Sequence, residues 1–398
     1  MKILMVSSLY PPFVIGGAEI STYKLTNELV RTGTEVVVLT TGETDSEEIR
    51  DGVKILFRRM KNITSFWKFK HDKAYRRVLY KLLDYYNRSN AKIISEILRT
   101  EKPDLIHINN LYGFSPVIWD CADKAGVPIV QTLRDYYLMC PKANLMKKEL
   151  ECSSPNPVCR MFRSLYRKKS RLVQAVTAPS AYTLNRFLED SYFPGSESQV
   201  IYNAIDFSAE RFEKIAGKRS GGSSDEKHIV FVGSLIATKG IRYLLEAVEK
   251  CPSNFYFHFA GKGKLQTEIE ECAKKHPNII LEGFLTEDKL NSLLEKMDML
   301  ICPSIWAEPF GRVIIDGYRS CLPVIVTNCG GMPELVDDGK TGRIIEAKSA
   351  DAIAGAVMDV ASWEMDSERI GQIREKLNEF SIEKQGELFT KLYGSLIE

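Results

Sequence analysis

Short apolar runs alternate with amphipathic stretches along the whole chain. KILMVSS from Lys2, EVVVLTT from Glu35 and DLIHIN from Asp104 are apolar enough for strands covered on both faces. PIVQTL and VTAPS continue the series, with helical patterns between them. That alternation predicts a parallel sheet in a doubly wound α/β domain. The second half repeats it, from HIVFVGSL through NFYFHFAG, NIILEGFL, DMLICPS and PVIVTN to GRIIE. Between the halves lies KRSGGSSD, residues 218–225, whose composition is that of a flexible polar linker. The pattern thus predicts an α/β protein of two Rossmann-like domains, 1–217 and 226–381. A last helix follows, over roughly Ile382–Ile397 of a 382–398 segment. No short-period repeat points to a solenoid.

Composition narrows this reading. A chain of 398 residues exceeds one ordinary core and fits two domains. Net charge is +2, which gives no global case for nucleic acid. No apolar run reaches a membrane-spanning length, and MKILMVSSLYPP reads as a first strand rather than a signal peptide. Nine irregularly spaced cysteines without an export signal point to reduced thiols in a cytoplasmic protein. Charge is nonetheless uneven. Between residues 54 and 88 only Asp72 and Asp84 offset a run that includes Arg58, Lys70, Lys73, Arg76, Arg77 and Lys81, with Phe66, Trp67 and Tyr75 interleaved. A second basic cluster spans Arg160 to Arg171. Such stretches suit an anionic membrane surface, RNA or a solvated helix face.

The chemistry concentrates in residues 303–335, PSIWAEPFGRVIIDGYRSCLPVIVTNCGGMPEL. Glu308 precedes a Pro309-Phe310-Gly311 turn, and Asp316 follows eight positions later. A helix starting at Phe310–Gly311 offers unpaired N–H groups and a positive dipole end to an anion. VIVT is a short buried strand, and Asn328-Cys329-Gly330-Gly331 turns into a second helix start at Pro333-Glu334. Carboxylates for sugar hydroxyls and bare amides for phosphates therefore meet above strand ends.

This layout resembles the retaining GT-B glycosyltransferases of family 4, the glycosyl transferases group 1, whose signature is Glu, seven residues, Glu. The second acid here is Asp316, a methylene shorter. The resemblance runs over nearly the whole chain and implies two Rossmann-like, doubly wound parallel-sheet domains facing an interdomain cleft. It implies transfer of a sugar from a nucleotide diphosphate donor, UDP-sugar favoured, to a glycan or lipid-diphosphate-linked acceptor in surface polysaccharide synthesis. The acceptor would lie at the inner face of the membrane, and the enzyme would be peripheral to it. In such enzymes the C-terminal segment crosses back onto the first domain; the alternative for Ile382–Ile397 is a cap on the second.

Residue roles follow from the same resemblance. Gly16, Gly17 and Glu19 match the family's Gly-Gly-x-Glu loop near the donor phosphates. In Val232–Gly240, Lys239 matches a diphosphate-neutralising lysine, while Ser234 stands where members often carry Arg; Arg312 is a candidate to help. Gly261, Phe284 and Leu285 would wall the nucleotide. Glu308 would hold sugar hydroxyls and Asp316 the ribose. Arg134, followed by Asp135 and Tyr136, stands where the family usually places a histidine. Arginine is no general base at neutral pH but suits a phosphate or an acidic acceptor. His107 and Asn109 end an earlier strand on the same acceptor side. Glu308, Lys239 and Arg134 are the candidate catalytic groups. No metal or other cofactor is expected, since lysine and helix ends supply positive charge, and nucleic acid is not an expected partner. Two alternatives to a transferase stay open: a nucleotide-sugar 2-epimerase and a non-catalytic sugar-nucleotide binder. Cys140, Cys152 and Cys159 are either loop cysteines near an acceptor-side lid or a small zinc module.

Overall fold

The structure, a computed structural model, describes every residue except 15, 70, 71, 148, 206, 220–223 and 398. Ile15 of the glycine-rich loop, Lys70 of the basic run and Gly221, Gly222 and Ser223 of the linker therefore lie outside the described residues. The chain divides into two compact units. One comprises Met1–Leu145, Ser153–Ile205 and Ile382–Glu398, the other Met146–Cys152 and Asp206–Ser381.

The first unit is built on an eight-stranded sheet. Its strands are β1 (Lys2–Ser7), β2 (Glu35–Thr41), β3 (Ser46–Arg50), β4 (Val53–Arg58), β5 (Leu105–Ile108), β6 (Ile129–Thr132), β7 (Ala175–Ala178) and β8 (Glu197–Val200). They lie in the order β8-β7-β6-β5-β1-β2-β4-β3. All neighbours are parallel except β3 and β4. β1 pairs with β5 from Ile3↔Leu105 to Val6↔Ile108, so both strands are covered on each side and read as continuous apolar runs. The edge strand β3 is SEEIR, largely exposed, and its acids discourage further pairing.

The last helix, Ile382–Ile397, belongs to this first unit. Phe389, Leu392 and Tyr393 enter the core formed by Ile3, Met5, Leu25, Leu29 and Val36. Each such side chain, fully buried, contributes about 1.5–3 kcal/mol. The helix also lies close against the first helix (Gly17–Arg31): a Cβ on Gly386 would stand 2.7 Å from Glu28 Cγ. Both core apolars and a missing side chain thus fix its place.

The second unit carries a six-stranded parallel sheet. Its strands are β9 (Lys227–Val232), β10 (Phe255–Ala260), β11 (Ile279–Gly283), β12 (Met299–Cys302), β13 (Val324–Thr327) and β14 (Gly342–Ile345). The order is β11-β10-β9-β12-β13-β14. Phe231, Phe257, Phe259, Ile301 and Ile325 form its core with Ile241, Leu244, Ile353 and Val357 from two covering helices.

Both sheets reverse direction of growth at one place. In the first, the chain moves outward from β1 one way and from β5 the other; in the second, from β9 and from β12. Open α/β sheets bind ligands at such switch points, outside the carboxyl ends of the strands. The loops after β1, β5, β9 and β12 are therefore where function is to be sought.

Candidate active site

At the second switch point, the loops after β9 and β12 are stitched together. Ile305 N donates to Thr238 O at 2.9 Å. Gly240 has φ +74°, and a Cβ there would fall 1.8 Å from Pro303 O, so only glycine permits this approach. The tight turn Ala237–Lys239 then aims Lys239 at Glu308, and the two form an ion pair. Ser304 Oγ donates to Glu308 Oε1 at 2.8 Å and Trp306 Nε1 at 2.9 Å. Lys239 Nζ also lies 5.7 Å from the Trp306 ring centroid.

All three donors reach the same oxygen of Glu308. No donor among the described residues reaches Oε2. The buried carboxylate thus has one oxygen tied to the protein and one available to a ligand hydroxyl. Its backbone is held from behind by the turn after β13: Gly331 N donates to Glu308 O at 2.7 Å. Gly330, at φ +65°, would put a Cβ 2.3 Å from that carbonyl. Thr327 Oγ1 adds a bond to Ser304 O at 2.6 Å. Strand ends, not loop flexibility, position the acid.

The helix after Glu308 starts at Arg312, behind Gly311 at φ +96°, one to two residues after the expected start at Phe310–Gly311. No side chain caps it, and its first turn carries no acid. Among the described residues Arg312 meets no carboxylate. The uncapped helix start thus follows Glu308 closely in the chain and adds its positive dipole end beside the Lys239–Glu308 pair. Asp316 lies further along the helix, with Arg319 Nη1 at 3.5 Å from Oδ1. Ser234 is exposed after β9, Gly261 follows β10, and Leu285 follows β11. Phe284 is 69% exposed, with Lys262 Nζ 5.7 Å from its ring centroid.

At the first switch point the arrangement differs. Arg134, two residues beyond β6, donates to Asn109 Oδ1 from Nε at 3.0 Å and from Nη2 at 2.7 Å. Its Nη1 reaches Ser21 Oγ at 3.1 Å and Asn203 Oδ1. Every acceptor is neutral. Burial draws the guanidinium pKa down to about 10, with Tyr393 and Glu19 acting against that shift, so Arg134 stays cationic at neutral pH. Glu19 is spent on the glycine loop, accepting from Gly16 N at 2.9 Å. Asp135 accepts from Tyr137 N at 2.7 Å, and burial lifts its pKa to about 6.

Three of the acceptor-side candidates are buried. His107 is wholly buried; Nδ1 pairs with Tyr393 Oη and Nε2 with Thr132 Oγ1, each at 2.6 Å. It braces β5 against β6 and the last helix. Asn109, 1% exposed, accepts from Arg134. Tyr136 is a core residue stacked on Phe187 with centroids 6.2 Å apart. Sequence reasoning also missed Ser304 and Trp306, although both stand in the quoted motif just before Glu308. Ser21, Asn203 and Arg319 gave no local signal. Among the described residues no three metal-ligating side chains converge, Cys140, Cys152 and Cys159 included.

One open cavity, about 660 Å³, lies elsewhere, lined by Arg219, Lys227, Asp298, Pro323 and Trp363. It opens at the amino ends of β9, β12 and β13, away from the loops that hold Lys239 and Glu308.

Comparison with known proteins agrees with the fold. The family model for glycosyl transferases group 1 matches residues 214–377, and that for glycosyltransferase family 4 matches residues 15–209. A Klebsiella pneumoniae protein described as an uncharacterized 42.6 kDa protein in the cps region is 28% identical, over 84% of this chain and 87% of its own. The putative teichuronic acid biosynthesis glycosyltransferase TuaC of Bacillus subtilis is 25% identical, over 90% of this chain and 88% of its own. HepE from Anabaena, solved with UDP and glucose, superposes with TM-score 0.66 at 17% identity, covering 99% of this chain and all of that one. Two models of one enzyme class follow one another along the chain, one over each Rossmann-like half of a GT-B fold. The chain belongs to the glycosyltransferases of family 4, the group 1 type.

Proposed function

We propose that this enzyme moves a sugar from a nucleoside diphosphate sugar, of the UDP class, to a glycan or lipid-diphosphate-linked acceptor, with retained anomeric configuration. The observation that carries the reading is the Lys239–Glu308 pair, with Glu308 Oε2 open beside an uncapped helix start. Glu308 Oε2 accepts from hydroxyls of the donor sugar. Lys239, Arg312 and the amides at Gly311–Arg312 gather the diphosphate, and their positive charge stabilises it as it departs. Asp316 accepts from the ribose diol, with Arg319 steering the carboxylate. Phe284 and Leu285 flank the base.

The bond between the anomeric carbon and the diphosphate oxygen breaks as the acceptor oxygen attacks the same face. The leaving phosphate takes the acceptor's proton, so no second carboxylate is needed as a nucleophile. Arg134 holds an anionic group of the acceptor. Lysine, arginine and the helix start supply the positive charge, and no step runs through a metal. The name of TuaC and the cps-region context of the Klebsiella relative support an acceptor in surface polysaccharide assembly. The UDP held by HepE supports the donor class.

The test is thermal stabilisation by UDP-, GDP-, ADP- and dTDP-sugars, followed by NMR of the transferred product. Preferential stabilisation by UDP-sugars and an unchanged anomeric configuration are expected. Stabilisation by no nucleotide sugar, or an inverted product, would overturn the reading.

A further inference from the structure

Amphipathic helices ordinarily turn their apolar stripe inward. The helix Ala74–Asp84 does the reverse. Tyr75, Val78, Leu79, Leu82 and Leu83, spaced i, i+3, i+4, i+7 and i+8 on one face, are 62, 59, 46, 53 and 50% exposed. Its inward side carries Tyr80 and Asp84, both buried, with Asp84 accepting from Gly113 N and Tyr137 Oη at 3.1 Å. The helix is therefore anchored by polar bonds and presents its aliphatic side chains outward. The helix Pro157–Ser170 lies beside it: Tyr85 Oη donates to Met161 O at 2.9 Å, and the Tyr85 ring packs on Phe162 and Tyr166. This second helix adds exposed Val158 and Met161.

The exposed charge contributed by these two helices has one sign, although Arg76, Arg163, Arg167 and Lys169 are paired with acids from neighbouring segments. The segment 157–171 contains no acid, and the only acid of Ala74–Asp84 is the buried Asp84. Lys73, Arg77, Arg88, Arg160 and Lys168 are exposed. A second copy docked face to face would set these cations against themselves. RNA phosphates would satisfy the cations but leave five aliphatic and aromatic side chains in water. Acyl chains beneath anionic headgroups satisfy both. We propose that the outward faces of Ala74–Asp84 and Pro157–Ser170 form a docking surface for an anionic lipid bilayer. The leucine stripe enters the headgroup–acyl boundary while the flanking cations contact the headgroups. This holds whatever the donor sugar proves to be.

Sedimentation of the full chain with vesicles tests it, comparing phosphatidylcholine alone with vesicles containing roughly one-third phosphatidylglycerol. Binding to the anionic vesicles only, weakened by salt, is expected. The Leu79→Glu/Leu82→Glu double variant is expected to lose at least about tenfold in apparent affinity. Both positions are exposed, so its melting curve and its response to donor nucleotides should match the wild type. Arg77→Gln/Lys168→Gln is expected to lose about fivefold per cation. Absence of binding to anionic vesicles, or binding unchanged by the double Glu variant, would overturn the proposal. So would an RNA oligomer shifted equally by wild type and double Glu variant without vesicle binding, which would reassign the surface to nucleic acid.

Discussion

Each sheet puts a cation near its switch point, after β9 in one and after β6 in the other, and the two are prepared in opposite ways. At the switch point between β9 and β12, Lys239 is neutralised by Glu308, whose Oε1 also takes bonds from Ser304 and Trp306. Near the one between β1 and β5, Arg134 is gripped by Asn109, Ser21 and Asn203, none of which carries charge. One cation is paired with a carboxylate; the other is hydrogen-bonded by neutral side chains. A balanced ion pair shields its lysine until a diphosphate competes for it. An uncompensated guanidinium with neutral neighbours instead favours an anion directly. Under the proposed function, the first arrangement suits a donor that must be gripped and released, and the second an acceptor that must be oriented.

The largest effect should come from breaking the balanced site at its acid. Glu308→Ala removes the ligand-facing oxygen and leaves Lys239 without its counter-charge. Transfer is expected to fall by about 10³-fold, the range for losing a group aimed at the transition state. UDP affinity should hold or rise, because Lys239 no longer has a competing carboxylate. Steady-state kinetics with calorimetric titration of UDP separates the two, and a parallel loss of UDP binding would argue against the pairing. Lys239→Ala should cost less in transfer, about 10²-fold, but weaken UDP binding as well. Glu308 keeps Ser304 and Trp306 in that variant, so the fold should survive.

Arg134→Ala probes the unbalanced site. Its effect should appear in the acceptor KM, raised about ten- to a hundredfold, with slow donor hydrolysis unchanged. Arg134→Lys should recover little, because a single ammonium cannot span Asn109, Ser21 and Asn203 at once. Equal loss in both variants of donor turnover without acceptor would place Arg134 on the donor side instead.

How much of this was legible follows the physics of each signal. Strands covered on both faces, such as β1, β2, β9 and β12, read directly as apolar runs. The edge strands β3 and β8, SEEIR and ESQV, do not, since their exposure permits polar side chains. Glu308, Gly311 and the following helix were readable because one short segment supplies acid, turn and helix start. The clamp around Arg134 was not, since Ser21, Asn109 and Asn203 come from three distant segments joined only by the sheet. The setting of His107 was hidden for a related reason. A histidine at a strand end offers itself as an acceptor contact, and the bond from its ring to Tyr393, 286 residues away, leaves no local signal.

That histidine supplies the smallest expected effect on activity. Burial, with Arg134 adding to it, holds the His107 pKa well below its usual value of 6.5. The folded protein keeps the ring neutral while the unfolded chain protonates it below about 6.5, so acidification favours unfolding. Stability from this group is therefore full above the unfolded value and declines as pH falls beneath it. Tyr393→Phe removes the partner of Nδ1 and leaves a buried nitrogen without a bond, at about 1–2 kcal/mol. Because Arg134 keeps all its own acceptors, kcat and both KM values should stay within about twofold of the wild type. Chemical denaturation at neutral and mildly acidic pH, alongside transfer assays, checks both halves. A change in acceptor KM in Tyr393→Phe would mean that the last helix sets the position of Arg134, and that the first switch point is tuned from the end of the chain.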